Sequence, residues 1–118
     1  MEFGTSALDW EQLDMIADGY TPGFMAIFGE FLTEVPRLLT IAEKYSAEGE
    51  IEKLGKIAHQ LKGSAGNFGF TGVALAMLLL EHCCRDGMLQ DAPLHLAEAQ
   101  ARFLQGREEF VQRHGPIA

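Results

Sequence analysis

At 118 residues the chain can build one continuous core, but it is too short for a nucleotide-binding domain beside a second module. Its 47 % hydrophobic and 22 % charged residues are ordinary for a globular chain. A formal net charge of -8 repels both a phosphate backbone and an anionic membrane surface, which argues against nucleic acid or membrane as partners.

The longest apolar run, residues 73–80, is far short of the roughly 20 residues a membrane span needs, and it reads as a buried helix. The opening Met1-Glu2-Phe3-Gly4-Thr5-Ser6 lacks a basic segment followed by an apolar one, so no secretory leader is expected and the protein is read as cytoplasmic. That hexapeptide reads equally as a vector-derived scar or as native sequence. Residues 1–7 are therefore set apart as a tag or tail, 8–114 as the domain, and 115–118 as a C-terminal tail. The only cysteines, Cys83 and Cys84, are neighbours that diverge by about 100° on a helix, and they read as reduced thiols.

No stretch shows sustained period-two alternation, whereas five segments show helical periodicity. The first, about 8–18, places Trp10, Leu13, Ile16 and Ala17 to one side, ends before Gly19, and is expected to lie as a lid. The second opens at Thr21-Pro22, with Thr as cap and Pro at the first helical position. Its Phe24, Phe28, Phe31, Val35, Leu38, Ala42 and Tyr45 recur in steps of four and three, the spacing of a packing stripe. Pro36 within it predicts a kink without a break.

Gly49 ends the second helix and the third is expected over about 50–67. Gly69 then precedes a fourth helix that Thr71 is expected to cap and Gly87 to close. Asp91 and Pro93 open a fifth, running to about 114, with Leu96, Ala97, Ala101, Phe103, Leu104, Phe110 and Val111 as a broad apolar band. The predicted fold is all-α, an antiparallel four-helix bundle with a short additional N-terminal helix.

The third helix divides into two faces. Leu54, Ile57, Ala58, Leu61, Ala65 and Phe68 fall in one arc, the core side. His59, Lys62, Gly63 and Gly66, at i, i+3, i+4 and i+7, fall on another, well away from it. Two glycines inside a helix cost about 1 kcal/mol each relative to alanine, which suggests a use. Clearance is the use inferred: a bare platform lets a phosphoryl group or another protein's backbone approach the imidazole. Tight helix packing is the competing explanation, and their shared face with His59 argues against it. An imidazole offers a neutral, nucleophilic nitrogen near neutral pH, and a lysine one turn along can offset phosphoryl charge.

The run His59-Gln60-Leu61-Lys62-Gly63-Ser64-Ala65-Gly66-Asn67-Phe68-Gly69 resembles the signature of histidine phosphotransfer (HPt) domains of two-component phosphorelays. The resemblance extends from about residue 8 to 111 and includes Phe31-Leu32, Ala58, Leu75, Glu81 and Arg85-Asp86-Gly87. It implies that His59 accepts the phosphoryl group, Lys62 stabilises the phosphate, and Gly63 is kept small beside them. Glu81 stands where such domains commonly carry a Glu or Gln able to accept a hydrogen bond from the imidazole. Gly63 and Gly66 would form the partner-docking platform, with Phe70 or members of the fourth helix as exposed docking residues.

The implied partners are receiver domains of response regulators or hybrid histidine kinases, which would themselves supply magnesium and the acidic phosphorylation pocket. No cofactor and no metal are expected in this chain, which is read as a phosphotransfer intermediate without kinase activity of its own and as a monomer. Phe68-Gly69-Phe70 also resembles the phosphotransfer module of chemotaxis histidine kinases, so a stand-alone carrier and a module of a longer kinase both stay open. A scaffold bundle with an inert histidine is the reading of another class. His82, Cys83 and Cys84 have ligand-type side chains but lack metal-ligand spacing. His95 and His114 read as solvated.

Overall fold

The computed structural model of the chain describes residues 6–116. Residues 1–5 and 117–118 lie outside it, and with them most of the expected N-terminal tag or tail and the end of the C-terminal one. Within the expected N-terminal tail, Ser6 and Ala7 are tied down. The Ser6 hydroxyl donates to Glu109 Oε1 at 2.7 Å, the Ala7 N–H donates to Glu109 Oε2 at 2.9 Å, and Ala7 is buried.

Five α-helices follow: α1 Trp10–Ala17, α2 Pro22–Glu48, α3 Ile51–Asn67, α4 Thr71–Asp86 and α5 Ala92–His114. A 3-10 turn, Leu89–Asp91, leads into α5, and no strand occurs among the described residues. The Asp9 carboxylate accepts from the Gln12 N–H to cap α1, and Thr21 Oγ1 accepts from the Phe24 N–H with Pro22 next to it, as the sequence predicts for α2. Gly49 and Gly87 close α2 and α4 in the left-handed region, at φ 72° and 69°, where glycine carries no Cβ penalty. The chain runs through Pro36 without breaking α2.

Two expectations need correction. Thr71 does not cap α4; Phe70 holds the cap position without any side-chain bond. Its own N–H goes back to the Ala65 carbonyl at 2.7 Å and its ring is fully buried, so the turn is fixed by core packing. The apolar band of α5 is also narrower than predicted, since Ala97, Ala101 and Leu104 are exposed. The buried stripe is Ala92, Leu96, Ala99, Phe103, Gly106 and Phe110, because one side of this helix borders the core.

The four long helices touch in a ring, α2 on α3, α3 on α4, α4 on α5 and α5 on α2, with the closest association between α3 and α4. Aromatic rings fill the interior at the end where α1 sits. Phe28 lies 4.6 Å from Phe110 and Phe31 4.6 Å from Phe68, centroid to centroid, with Phe70 between Phe31 and Phe103. Truncating one such buried ring to alanine costs about 3–5 kcal/mol. The α1 lid is held by Leu13 in the core, by Trp10 stacked on Phe110, and by Arg113, which lies over the Trp10 ring and reaches Asp14. His114, expected in solvent, keeps an exposed edge but packs 4.2 Å from the Tyr20 ring and 4.7 Å from that of Phe110.

Candidate functional site

Leu54, Ala58, Leu61 and Ala65 are buried along one side of α3, so the helix is anchored in a single rotational setting. That setting turns the other predicted face outwards. His59 is exposed, with 71 % of its side chain accessible, on the seam where α3 meets α4.

Across the seam Glu81 of α4 receives both predicted α3 side chains, one on each carboxylate oxygen. His59 Nδ1 lies 2.8 Å from Oε2, and the Lys62 ammonium donates to Oε1 at 2.7 Å. An ionised carboxylate has no proton to give, so Nδ1 must carry the hydrogen and donate it. In the neutral ring the lone pair is thereby left on Nε2, the outward nitrogen. Lys62 first, then His59, through these hydrogen bonds hold the Glu81 carboxyl below its ordinary range, which keeps it an acceptor.

Gly63 and Gly66 are exposed, and an added Cβ at either would meet nothing within 4 Å. Tight packing therefore does not explain them; the surface beside His59 is bare. Four of the residues picked out from sequence, His59, Lys62, Gly63 and Glu81, meet at this seam or beside it, and Gly66 continues the bare strip along α3. Phe70, named as a possible exposed docking residue, is instead fully buried, whereas Leu75 and Leu79 of α4 are exposed.

Two residues were missed: Arg85, which periodicity within one helix could not bring in from another, and Lys56, which stands three residues before His59 on α3 itself. An open groove of about 670 Å³ runs from His59 and Glu81 between the helices, and Lys56, Cys84 and Arg85 line it. Cys84 is a spectator there. Burial first, then the neighbouring Cys83 and Glu81, push its thiol upwards and away from the reactive thiolate. Among the described residues no group of three His, Cys, Asp or Glu side chains is placed to hold a metal ion, and no helix is long and apolar enough to cross a membrane.

The family model of the Hpt domain matches residues 26–111, most of the chain. The chain belongs to the Hpt family. The match opens inside α2 and closes near the end of α5, so α3, α4 and the whole seam fall within it, while α1 precedes it. Membership ties this Hpt domain to histidine phosphotransfer in two-component signalling. No curated protein and no solved structure matched the chain.

Proposed function

We propose that this Hpt domain relays a phosphoryl group between receiver-domain aspartates, with His59 as the carrier. The observation that carries the reading is the His59 Nδ1 to Glu81 contact, which leaves Nε2 as an exposed nucleophile with its lone pair outward. The Nε2 lone pair attacks phosphorus of an aspartyl phosphate, the N–P bond forms, the P–O bond to the aspartyl group breaks, and the aspartate leaves as a carboxylate. Nδ1 keeps its proton, so the ring becomes cationic, and the Glu81 carboxylate stabilises that charge. Lys62 leaves Glu81 for the phosphoryl oxygens as charge gathers there. The reverse sequence delivers the group to a second receiver.

Gly63 and Gly66 leave room for the receiver around the reacting nitrogen, and the ring of helix contacts with short connections supports an antiparallel bundle as the scaffold. The test is to incubate the purified protein with radiolabelled phospho-receivers, in parallel with His59→Gln. Label that is acid-labile, alkali-stable and confined to wild type is expected. Equal labelling of His59→Gln, or none on wild type across the receivers of the source genome, would overturn the reading.

A further inference from the structure

The charge of this protein is unevenly laid out. Residues 51–86, the α3–α4 pair carrying His59, hold four Lys or Arg against three Asp or Glu, whereas the rest of the chain holds five against fourteen. The pair is thus slightly cationic on a molecule of net charge -8. One of its three carboxylates, Glu81, is already bonded to His59 and Lys62.

The cations also differ in what they do. Arg37 pairs with Glu34, Arg102 with Glu98, Arg113 with Asp14, Lys62 with Glu81, and Lys53 lies over the Tyr45 ring. Lys44, Lys56, Arg85 and Arg107 make no hydrogen bond or ion pair among the described residues. Of these four, Lys56 and Arg85 line the same groove as His59. Lys56 is one turn before His59 on α3 and Arg85 one turn after Glu81 on α4, so exposed charge flanks the exposed imidazole from both helices. Glu52 at the edge of the groove offsets part of it.

Building on the relay reading, we infer that Lys56 and Arg85 form an electrostatic docking site for a carboxylate-rich protein surface, the acidic phosphorylation pocket of a receiver. Charge complementarity singles out this occupant. A partner bearing carboxylates around a phosphoryl-aspartate meets repulsion from most of this molecule and attraction at one place, which orients the encounter on Nε2 of His59. Such steering acts on the rate of productive encounter and is weakened by salt. It leaves the phosphoryl step, performed by His59, Glu81 and Lys62, to proceed as before.

The experiment measures phosphotransfer from a labelled receiver domain to the full chain at low and high ionic strength, with kcat and KM separated. Lys56→Gln with Arg85→Gln is expected to lower kcat/KM at low salt by about tenfold, through KM with kcat unchanged, and to flatten the salt dependence. Lys44→Gln with Arg107→Gln removes the same charge elsewhere and is expected to change neither. A salt dependence that persists in the first double variant, an equal loss in the second, or a loss seated in kcat would overturn the inference. Both substituted side chains are exposed and unpartnered, so folding is not at risk.

Binding of the same receivers to His59→Gln separates the two claims. Binding that needs Lys56 and Arg85, without transfer to wild type, would sink the relay and keep the docking site. Transfer to His59 indifferent to both cations would keep the relay and sink the docking site. Neither binding nor transfer would overturn both.

Discussion

Glu81 Oε2 sits 2.8 Å from Nδ1 of His59, joining two helices at one hydrogen bond and assigning the two ring nitrogens different tasks. A glutamine at 81 keeps an oxygen acceptor for Nδ1 but carries no charge for the imidazolium or for Lys62. An alanine keeps neither. A hydrogen bond to a charged group contributes about 1.5–3 kcal/mol, and each 1.4 kcal/mol is tenfold in rate. Glu81→Ala is therefore expected to slow transfer to His59 by roughly tenfold to a hundredfold, with Glu81→Gln between it and wild type. Nitrogen-15 NMR of the imidazole gives an independent check, with a single Nδ1–H tautomer expected in wild type and a mixture in Glu81→Ala. Equal rates for the two variants would show that orientation by Glu81 is not what the reaction uses.

The same carboxyl makes stability fall on the acid side. Lys62 and then His59 hold its folded value below the ordinary 4.5, so the unfolded chain takes up the proton first as pH drops. The stabilisation is complete above the unfolded value and is lost as pH falls through the folded one. Glu81 and Lys62 remain partly open to water, at 24 % and 33 % side-chain exposure, so the contribution is at most about 1 kcal/mol. Urea melts at descending pH should show a shallower acid loss in Glu81→Gln than in wild type. Parallel curves would rule the contribution out.

Tyr20 makes the opposite prediction on the alkaline side. Its hydroxyl donates to Asp14 Oδ1 at 2.5 Å, and burial, then that bond, then the Asp14 charge raise the phenol above the ordinary 10.0. A raised value in the folded state means that the unfolded chain loses its proton first, so stability is complete below pH 10 and declines as pH climbs towards the folded value. Tyr20→Phe should abolish that decline and cost about 1 kcal/mol at neutral pH, where the bond is lost. Chemical denaturation of both proteins from neutral to strongly alkaline pH decides this, and an unchanged alkaline slope in Tyr20→Phe would refute it.

What the sequence made legible follows from the range of each signal. Helical spacing located α1 to α5 to within a few residues and sorted α3 into core and exposed faces, because amphipathicity is a local property of Leu54, Ala58, Leu61 and Ala65. Glu81 could be linked to His59 by family resemblance alone, since no spacing within a helix connects residues 22 apart. The overbroad band on α5 arose because Ala97, Ala101 and Leu104 are apolar without being buried, and single exposed apolar residues are common. Lys56 was within reach, standing three residues before His59 on its face. Its weight became visible only when Arg85 was found across the seam, lining the same groove as His59.

The glycines give the sharpest separation of stability from function. Gly63 and Gly66 are helical and face open space, so alanine there adds no internal clash and removes the entropy that glycine loses on helix formation. Gly63→Ala and Gly66→Ala should each stabilise the fold by about 1 kcal/mol, raising Tm by roughly 4 °C, while obstructing the bare surface and lowering kcat/KM for transfer to His59 by about tenfold. Gly106 is helical as well, but a Cβ on it would come within 2.7 Å of Phe70 Cε2 and 2.9 Å of Leu8 Cδ2. Gly106→Ala should therefore destabilise by about 1–3 kcal/mol through overpacking and leave transfer unaltered below its melting range. Thermal melts and transfer assays should show a gain in stability with a loss of transfer for Gly63→Ala and Gly66→Ala, and a loss of stability alone for Gly106→Ala. A Gly63→Ala protein less stable than wild type would mean that the position does not face open space, and one that transfers as fast would mean that Gly63 serves neither clearance nor docking.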